Sequence, residues 1–322
     1  MQTSNSKKPL SQAAIGKMLA QTAKQLLQPA TYSKKNLSTQ WQRSKRVMNL
    51  MAAIQTGVGY AWDINHTANP DNHQIIALIQ KFCQKSLRAL QVEVIAVEPM
   101  PTQHALWASN HISWLDIPVI GSIVPTFFLS KAEIARWPVI GWLATTANTL
   151  FIQRGSGDTA NISEQMATFL SQGYPVVFFP EATTTDGTAV KRIYGKLLQA
   201  AIDTQLPIQA VVICYVNEQG ELDKAIPYYG NIAFIDSVKR VLDNRPAKAH
   251  VLPLAPLYPE NKSRAELTQL LQARMTEGLQ RLHKQVLTNR WSNFLCDKPN
   301  HYIVYLCIRG LYPIKNEKKF HL

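Results

Sequence analysis

Between Val92 and Leu254, short apolar runs alternate with stretches of helical periodicity, and this alternation restricts the possible folds more than any other feature of the chain. The runs Val92–Val97, Ala105–Ser109, Pro125–Leu129, Leu150–Gln153, Val176–Phe179, Ile208–Ile213 and His250–Leu254 read as strands. They are too short for helices, and turn signals bound them. Helical spacing lies between them at Leu115–Ile123, Ala132–Trp137, Thr159–Ser171, Ile193–Thr204 and Ser237–Leu242. Strand and helix in turn predict an α/β domain built round a largely buried sheet, with its core at about residues 92–258. Ile75–Leu90 is a further helix before it. After it, Ser263 and Glu266 form a capping box opening a long helix, with Leu267, Leu270, Leu271, Met275, Leu279, Leu282 and Val286 on its apolar face. The expected divisions are a basic arm and membrane-contact helix at 1–62, the α/β domain at 63–290, and an apolar-basic tail at 291–322. Within that tail, Tyr302–Ile308 is either an extra strand or a second membrane contact.

Charge narrows the partners. The formal net charge is +13, and nine Lys or Arg residues, from Lys7 to Arg46, precede the first acidic residue, Asp63. Such an arm suits a polyanion. In the segment Val47–Trp62, Val47, Leu50, Met51, Ile54 and Val58 share one helical face, with tyrosine and tryptophan at the end. The segment is too short and too polar to span a bilayer, which takes about 20 apolar residues. A basic lead into an amphipathic helix reads as an interfacial anchor on an anionic membrane surface; the same stripe packed into a core is the alternative. Nucleic acid is not an expected partner, because the chain has no zinc-finger spacing, no RNP-like strand and no basic run interleaved with stacking residues. The four cysteines are far apart and form no CxxC, so neither a zinc site nor a disulfide framework is expected; no cofactor or other metal is expected either.

The chemistry gathers around the stretch "WASNHISWLDIPVIG", Trp107 to Gly121. His111 comes directly off an expected strand and Asp116 follows five positions later. Five steps along one continuous helix would set the two side chains about 140° apart. They meet only if His111 lies in the turn and Asp116 in the first helical turn, as when Ser113 is the N-cap and Asp116 the third helical residue. A capping role for Asp116 and a catalytic pairing both fit that spacing. A histidine held by a carboxylate removes a proton from a hydroxyl. His66 and Asp71 share the His-x4-Asp spacing, but they sit in an Asn/Pro loop with no strand before it. Ser113 as a nucleophile lacks the G-x-S-x-G elbow.

Three later stretches extend the pattern. Arg154 closes the apolar run Phe151-Ile152, where a guanidinium can grip an oxyanion. Glu181 follows Phe179-Pro180, and Leu206-Pro207-Ile208 opens another buried strand. In order and spacing, Asn110-His111 with Asp116, Phe151-Ile152-Gln153-Arg154, Phe179-Pro180-Glu181-Ala182-Thr183-Thr184 and Leu206-Pro207-Ile208 resemble the glycerolipid acyltransferase family typified by 1-acylglycerol-3-phosphate acyltransferases. The family's motifs are N-H-x4-D, F-I-x-R, F-P-E-G-T-R and an apolar strand with V/I-P-I.

The resemblance implies a mixed sheet flanked by helices. It makes His111 the general base, with Asp116 orienting it, and matches Arg154, Glu181, Thr183 and Thr184 to acceptor-binding elements. The reaction it implies passes an acyl group from acyl-carrier protein or acyl-coenzyme A to a lysolipid hydroxyl, without an acyl-enzyme. Its place would be the cytoplasmic face of a membrane, the inner membrane of a bacterium. Trp137–Phe151 is apolar enough to line an acyl chain. Ala182 for glycine disfavours a positive φ, and Thr184 for arginine removes a charge suited to phosphate. Some bacterial relatives with E-G-T-T use lyso-ornithine lipids. The expected acceptor is therefore lysophosphatidate, with a lyso-ornithine lipid or other lysolipid as the alternative. An inactive lipid-binding family member is a further alternative.

Overall fold

The computed structural model of the protein describes residues 12–28, 37–153, 157–244 and 246–287. The expected segment Tyr302–Ile308 lies outside the described residues. Seven strands, β1 (Val92–Ala96), β2 (Leu106–Ser109), β3 (Phe127–Lys131), β4 (Leu150–Ile152), β5 (Val176–Phe178), β6 (Ile208–Val216) and β7 (Ala247–Pro253), form one sheet in the order β1-β7-β6-β2-β5-β3-β4. Strands β2 to β6 run parallel, β7 is antiparallel to β6, and β1 is parallel to β7, so the sheet is mixed. All seven expected strands are present, and β6 runs three residues beyond Ile213 with every residue buried.

Nine α-helices accompany the sheet among the described residues: α1 (Gln12–Leu27), α2 (Leu37–His66), α3 (Asn72–Leu90), α4 (Asp116–Ile123), α5 (Ile140–Thr146), α6 (Thr159–Ser171), α7 (Gln199–Thr204), α8 (Phe234–Asp243) and α9 (Arg264–Val286). The two-residue period of the strands sorts the core. Trp107, Val211, Ile213 and Tyr215 face one side with residues of α2, α3, α4 and α8. Leu106, Ala108, Ala210, Val212 and Cys214 face the other with α6, α7 and α9. Close approach seats α4, because a Cβ on its Gly121 would come within 2.7 Å of Cys83 Sγ on α3. The capping box of α9 is present, Ser263 Oγ accepting from Glu266 N at 3.2 Å and Glu266 Oε2 from Ser263 N at 2.7 Å.

Some expectations changed. Ala132–Arg136 is a 3-10 helix, and the expected helix Ile193–Thr204 divides into a 3-10 turn, Gly195–Leu198, followed by α7. Gly195 lies hard against α9, where a Cβ would overlap Thr268 Oγ1. The apolar stretch after Trp137 contains α5, whose Trp142 and Leu143 pack with Ile15, Val58 and Val139.

The largest correction concerns the N-terminal stripe. Val47, Leu50 and Val58 are buried, and Met51 and Ile54 pack against the domain core, so this face of α2 is internal and cannot lie on a membrane. Two cations of the basic arm are internal as well. Arg43 donates to Leu26 O and Gln28 O at 2.8 and 2.7 Å and pairs with Asp243 at 3.3 Å. Arg46 donates to Gln91 Oε1 at 2.6 Å and to the carbonyls of Leu242 and Asn244. These guanidiniums satisfy carbonyls at the C-terminal ends of α1 and α8, where cations are favoured.

Candidate active site

His111 leaves the C-terminal end of β2, a central strand between β5 and β6. Asn110 makes that exit possible. Its Nδ2 donates to Ile213 O at 3.1 Å and its Oδ1 accepts from Ile213 N at 2.7 Å, so a side-chain amide continues the ladder while the main chain turns away. The carboxylate of Asp116, the first residue of α4, is fully buried and reaches back over the turn. Its Oδ2 accepts from His111 Nδ1 at 2.8 Å, Ile112 N at 2.6 Å and Ser113 N at 2.9 Å. Its Oδ1 accepts from Tyr215 OH at 2.8 Å. Pairing and turn-bracing therefore coexist in one carboxylate. Ser113 is not the N-cap and Asp116 is not the third helical residue: Leu115 occupies the cap, because the carboxylate is used on the turn before the helix.

A carboxylate can only accept, so Nδ1 carries the proton and Nε2 is the basic nitrogen. The imidazole stacks on Phe179, with ring centroids 4.0 Å apart at 17°, and its side chain keeps 17 % of its exposure. One ring edge is fixed by Asp116 and one face by Phe179. What remains is a largely buried base, open along part of its ring, in a defined tautomer.

Glu181 follows β5 and is 2 % exposed. Its Oε1 accepts from His111 N at 2.8 Å and its Oε2 from Lys191 N at 2.7 Å. Burial pushes this carboxyl's pKa up, against the pull of the two main-chain N–H groups. Glu181 thus ties the His111 turn to the segment leading into α7. Thr183 and Thr184 are half-exposed in the turn that follows. The loop is anchored one residue later, where Thr185 N donates to His111 O at 2.8 Å. Arg154 lies outside the described residues.

The second His-x4-Asp has no such geometry. His66 ends α2, bonded to Trp62 O at 2.8 Å, and Asp71 caps α3 by accepting from His73 N at 3.1 Å. A cleft of about 580 Å³ lined by Glu98, Gln103, Gln209 and Arg281 opens at the N-terminal ends of β2 and β6, the opposite end of the sheet from His111.

The acyltransferase family profile matches residues 91–214, which include the His111 turn and the Glu181 turn. A lyso-ornithine lipid O-acyltransferase of Pseudomonas aeruginosa is 35% identical over 71% of this chain and 89% of its own. The chain belongs to the acyltransferase family. A 1-acyl-sn-glycerol-3-phosphate acyltransferase of Neisseria gonorrhoeae is 34% identical over 53% of this chain and 66% of its own. The crystal structure of the 1-acyl-sn-glycerophosphate acyltransferase of Thermotoga maritima superposes with a TM-score of 0.52, covering 76% of this chain and all of that one at 18% identity, a likeness of fold.

In this acyltransferase the alanine at position 182 takes the conformation expected of glycine: Ala182 has φ 54°. Alanine disfavours this backbone, and the turn keeps it because the two bonds of Glu181 and the Thr185 bond leave the loop little freedom. A left-handed L-residue costs about 1–2 kcal/mol. Ala182→Gly is therefore expected to raise stability in urea unfolding by about 0.5–1 kcal/mol, the relief being offset in part by unfolded-state entropy. No gain would mean that the turn holds no strain. Asn110, Phe179, Thr185 and Tyr215, which are not among the residues expected from the sequence to form the site, also contact it. Asn110 and Phe179 stood inside quoted motifs, whereas nothing local singled out Tyr215.

Proposed function

We propose that this acyltransferase moves a fatty acyl group from an acyl thioester to a lysolipid hydroxyl, and that a lyso-ornithine lipid is the preferred acceptor. The observation that carries the chemistry is the His111 Nδ1 to Asp116 Oδ2 hydrogen bond of 2.8 Å just beyond the end of β2, with the His111 ring partly open to solvent. His111 Nε2 takes the acceptor's hydroxyl proton as its oxygen bonds to the thioester carbonyl carbon. The C–S bond then breaks, and the leaving thiolate takes the proton from the imidazolium. Half-buried Trp114, Phe179 and Phe234 beside the turn offer an apolar flank for an acyl chain.

Two facts favour a lyso-ornithine lipid over lysophosphatidate, which the motif resemblance put first. The relative named for lyso-ornithine lipid matches a larger share of this chain, 71% against 53%. Thr184 also supplies no charge for a phosphate where the family's third motif has arginine. The test offers lyso-ornithine lipid and lysophosphatidate side by side, with acyl-carrier-protein and acyl-coenzyme A donors. At least a tenfold higher kcat/KM for lyso-ornithine lipid is expected, about 1.4 kcal/mol of discrimination, with Thr184→Arg narrowing it. Preference for lysophosphatidate would overturn the acceptor assignment.

Membrane contact belongs to the same proposal. No helix among the described residues is long and apolar enough to cross a bilayer. With the α2 stripe internal, the surface suited to lipid is the outer side of α1 and α2, where Leu27, Trp41 and Met48 are 48, 66 and 70 % exposed. Lys45 Nζ lies 5.3 Å from the Trp41 ring centroid, placing a cation beside the apolar group. Trp41→Ala with Met48→Ala should weaken sedimentation with anionic vesicles about tenfold or more, as expected from the apolar area lost. Unchanged sedimentation would exclude this surface.

A further inference from the structure

We propose that Tyr215 is a positioning residue of the reaction: its hydroxyl holds the Asp116 carboxylate in place and draws negative charge from it, so that the strength of the His111 base is set from the far side of the pair. The inference rests on His111 acting as the base, as proposed above.

The placement follows from strand parity. β6 lies beside β2 in parallel, with Ser109 opposite Val211. Four residues on from Val211, Tyr215 returns to the same face of the sheet, the face covered by α4, which starts at Asp116. Its ring is 2 % exposed among Val211, Ile213 and other apolar neighbours. A phenylalanine would fill nearly the same volume. A phenol in such a place is costly unless its hydroxyl has a partner, and here the partner is Asp116 Oδ1 at 2.8 Å.

That bond is the one from the other side. Oδ2 already takes three donors, from His111 Nδ1, Ile112 N and Ser113 N. All three come from the turn that carries the base. Among the described residues Tyr215 alone ties the carboxylate to the sheet, and with it the tilt of the carboxylate plane against the imidazole. Burial, and then the neighbouring Asp116 charge, push the phenol well above its ordinary pKa, so it stays a donor at any working pH. At 2 % exposure it does not touch substrate, so its influence passes through Asp116.

The sign can be worked out. Among the described residues, the ionisable groups facing His111 are Asp116 through its side chain and Glu181 through the His111 main-chain N–H, with Tyr215 behind Asp116. A hydrogen bond to the carboxylate spreads its charge and lessens its hold on the imidazolium. Removing the hydroxyl leaves Asp116 more strongly attractive to a protonated His111 and freer to swing.

In Tyr215→Phe we expect kcat to fall about 10- to 100-fold with KM within about twofold, the loss typical of a group orienting a catalytic side chain. The acid limb of kcat/KM should move to higher pH. Fluorotyrosine placed at position 215 keeps the ring and hydroxyl but donates more strongly, and should move that limb to lower pH. Wild-type kcat and an unmoved limb in both variants, with His111→Ala inactive, would overturn the role of Tyr215 alone. A fall in melting temperature without movement of the acid limb in either variant would also overturn it, since a packing role predicts that result. Full activity in His111→Ala would instead remove the base on which the inference stands.

Discussion

His111→Ala is expected to lower kcat for acyl transfer by about 100- to 10,000-fold, the contribution typical of a positioned general base. The protein should remain folded. Asp116 keeps its bonds from Ile112 N, Ser113 N and Tyr215 OH, so no buried charge is orphaned. The lost stacking on Phe179 is a partly exposed contact. KM for the lysolipid should change little, because the role proposed for the imidazole is to accept a proton and not to anchor a headgroup. Circular dichroism and steady-state kinetics on the same preparation check both halves. Substantial transfer by a folded His111→Ala protein would exclude the mechanism. Absence of transfer by the wild type to every acceptor, with lipid binding intact, would favour the inactive lipid-binding reading.

Asp116→Asn is expected to cost about 100- to 10,000-fold in kcat as well, for a different reason. The side-chain oxygen of asparagine can still accept from His111 Nδ1 and the two turn N–H groups, while its amide nitrogen faces the Tyr215 oxygen. The turn geometry therefore survives, and the negative charge that steadies the imidazolium is lost. The pH profile separates the two variants. In Asp116→Asn the acid limb of kcat/KM should move to lower pH, because the protonated histidine has lost its counter-charge. In His111→Ala that limb should vanish. A wild-type limb in Asp116→Asn would mean that Asp116 acts only as a brace for the turn.

The strands were legible because each is a short apolar run, and a sheet buried on both faces requires little else of its sequence. The capping box of Ser263 and Glu266 was legible for the same local reason: it is written within four consecutive residues and is present in α9. The α2 stripe was misassigned because a lipid-facing and a protein-facing apolar face have the same spacing. Periodicity says that a face is buried and not by what. The conformation of Ala182 was open for a related reason. Its residue type opposes the left-handed turn, yet bonds from Glu181 and Thr185 to the main chain of other segments hold that turn in place.

By itself the sequence determined the alternation of strand and helix, the exit of His111 from a strand, the spacing that lets Asp116 turn back to it, and the family motifs around them. These are consequences of covalent neighbourhood, and a linear text records them in full. Only the tertiary structure decided that β6 lies beside β2 in a register carrying Tyr215 over Asp116, that Glu181 bridges His111 to Lys191, and that Arg43 and Arg46 turn inward to helix ends. Each of these joins residues 10 to 100 or more positions apart. The geometry of such pairs depends on which strand lies next to which and on a two-residue parity, and neither is written at either end of the contact.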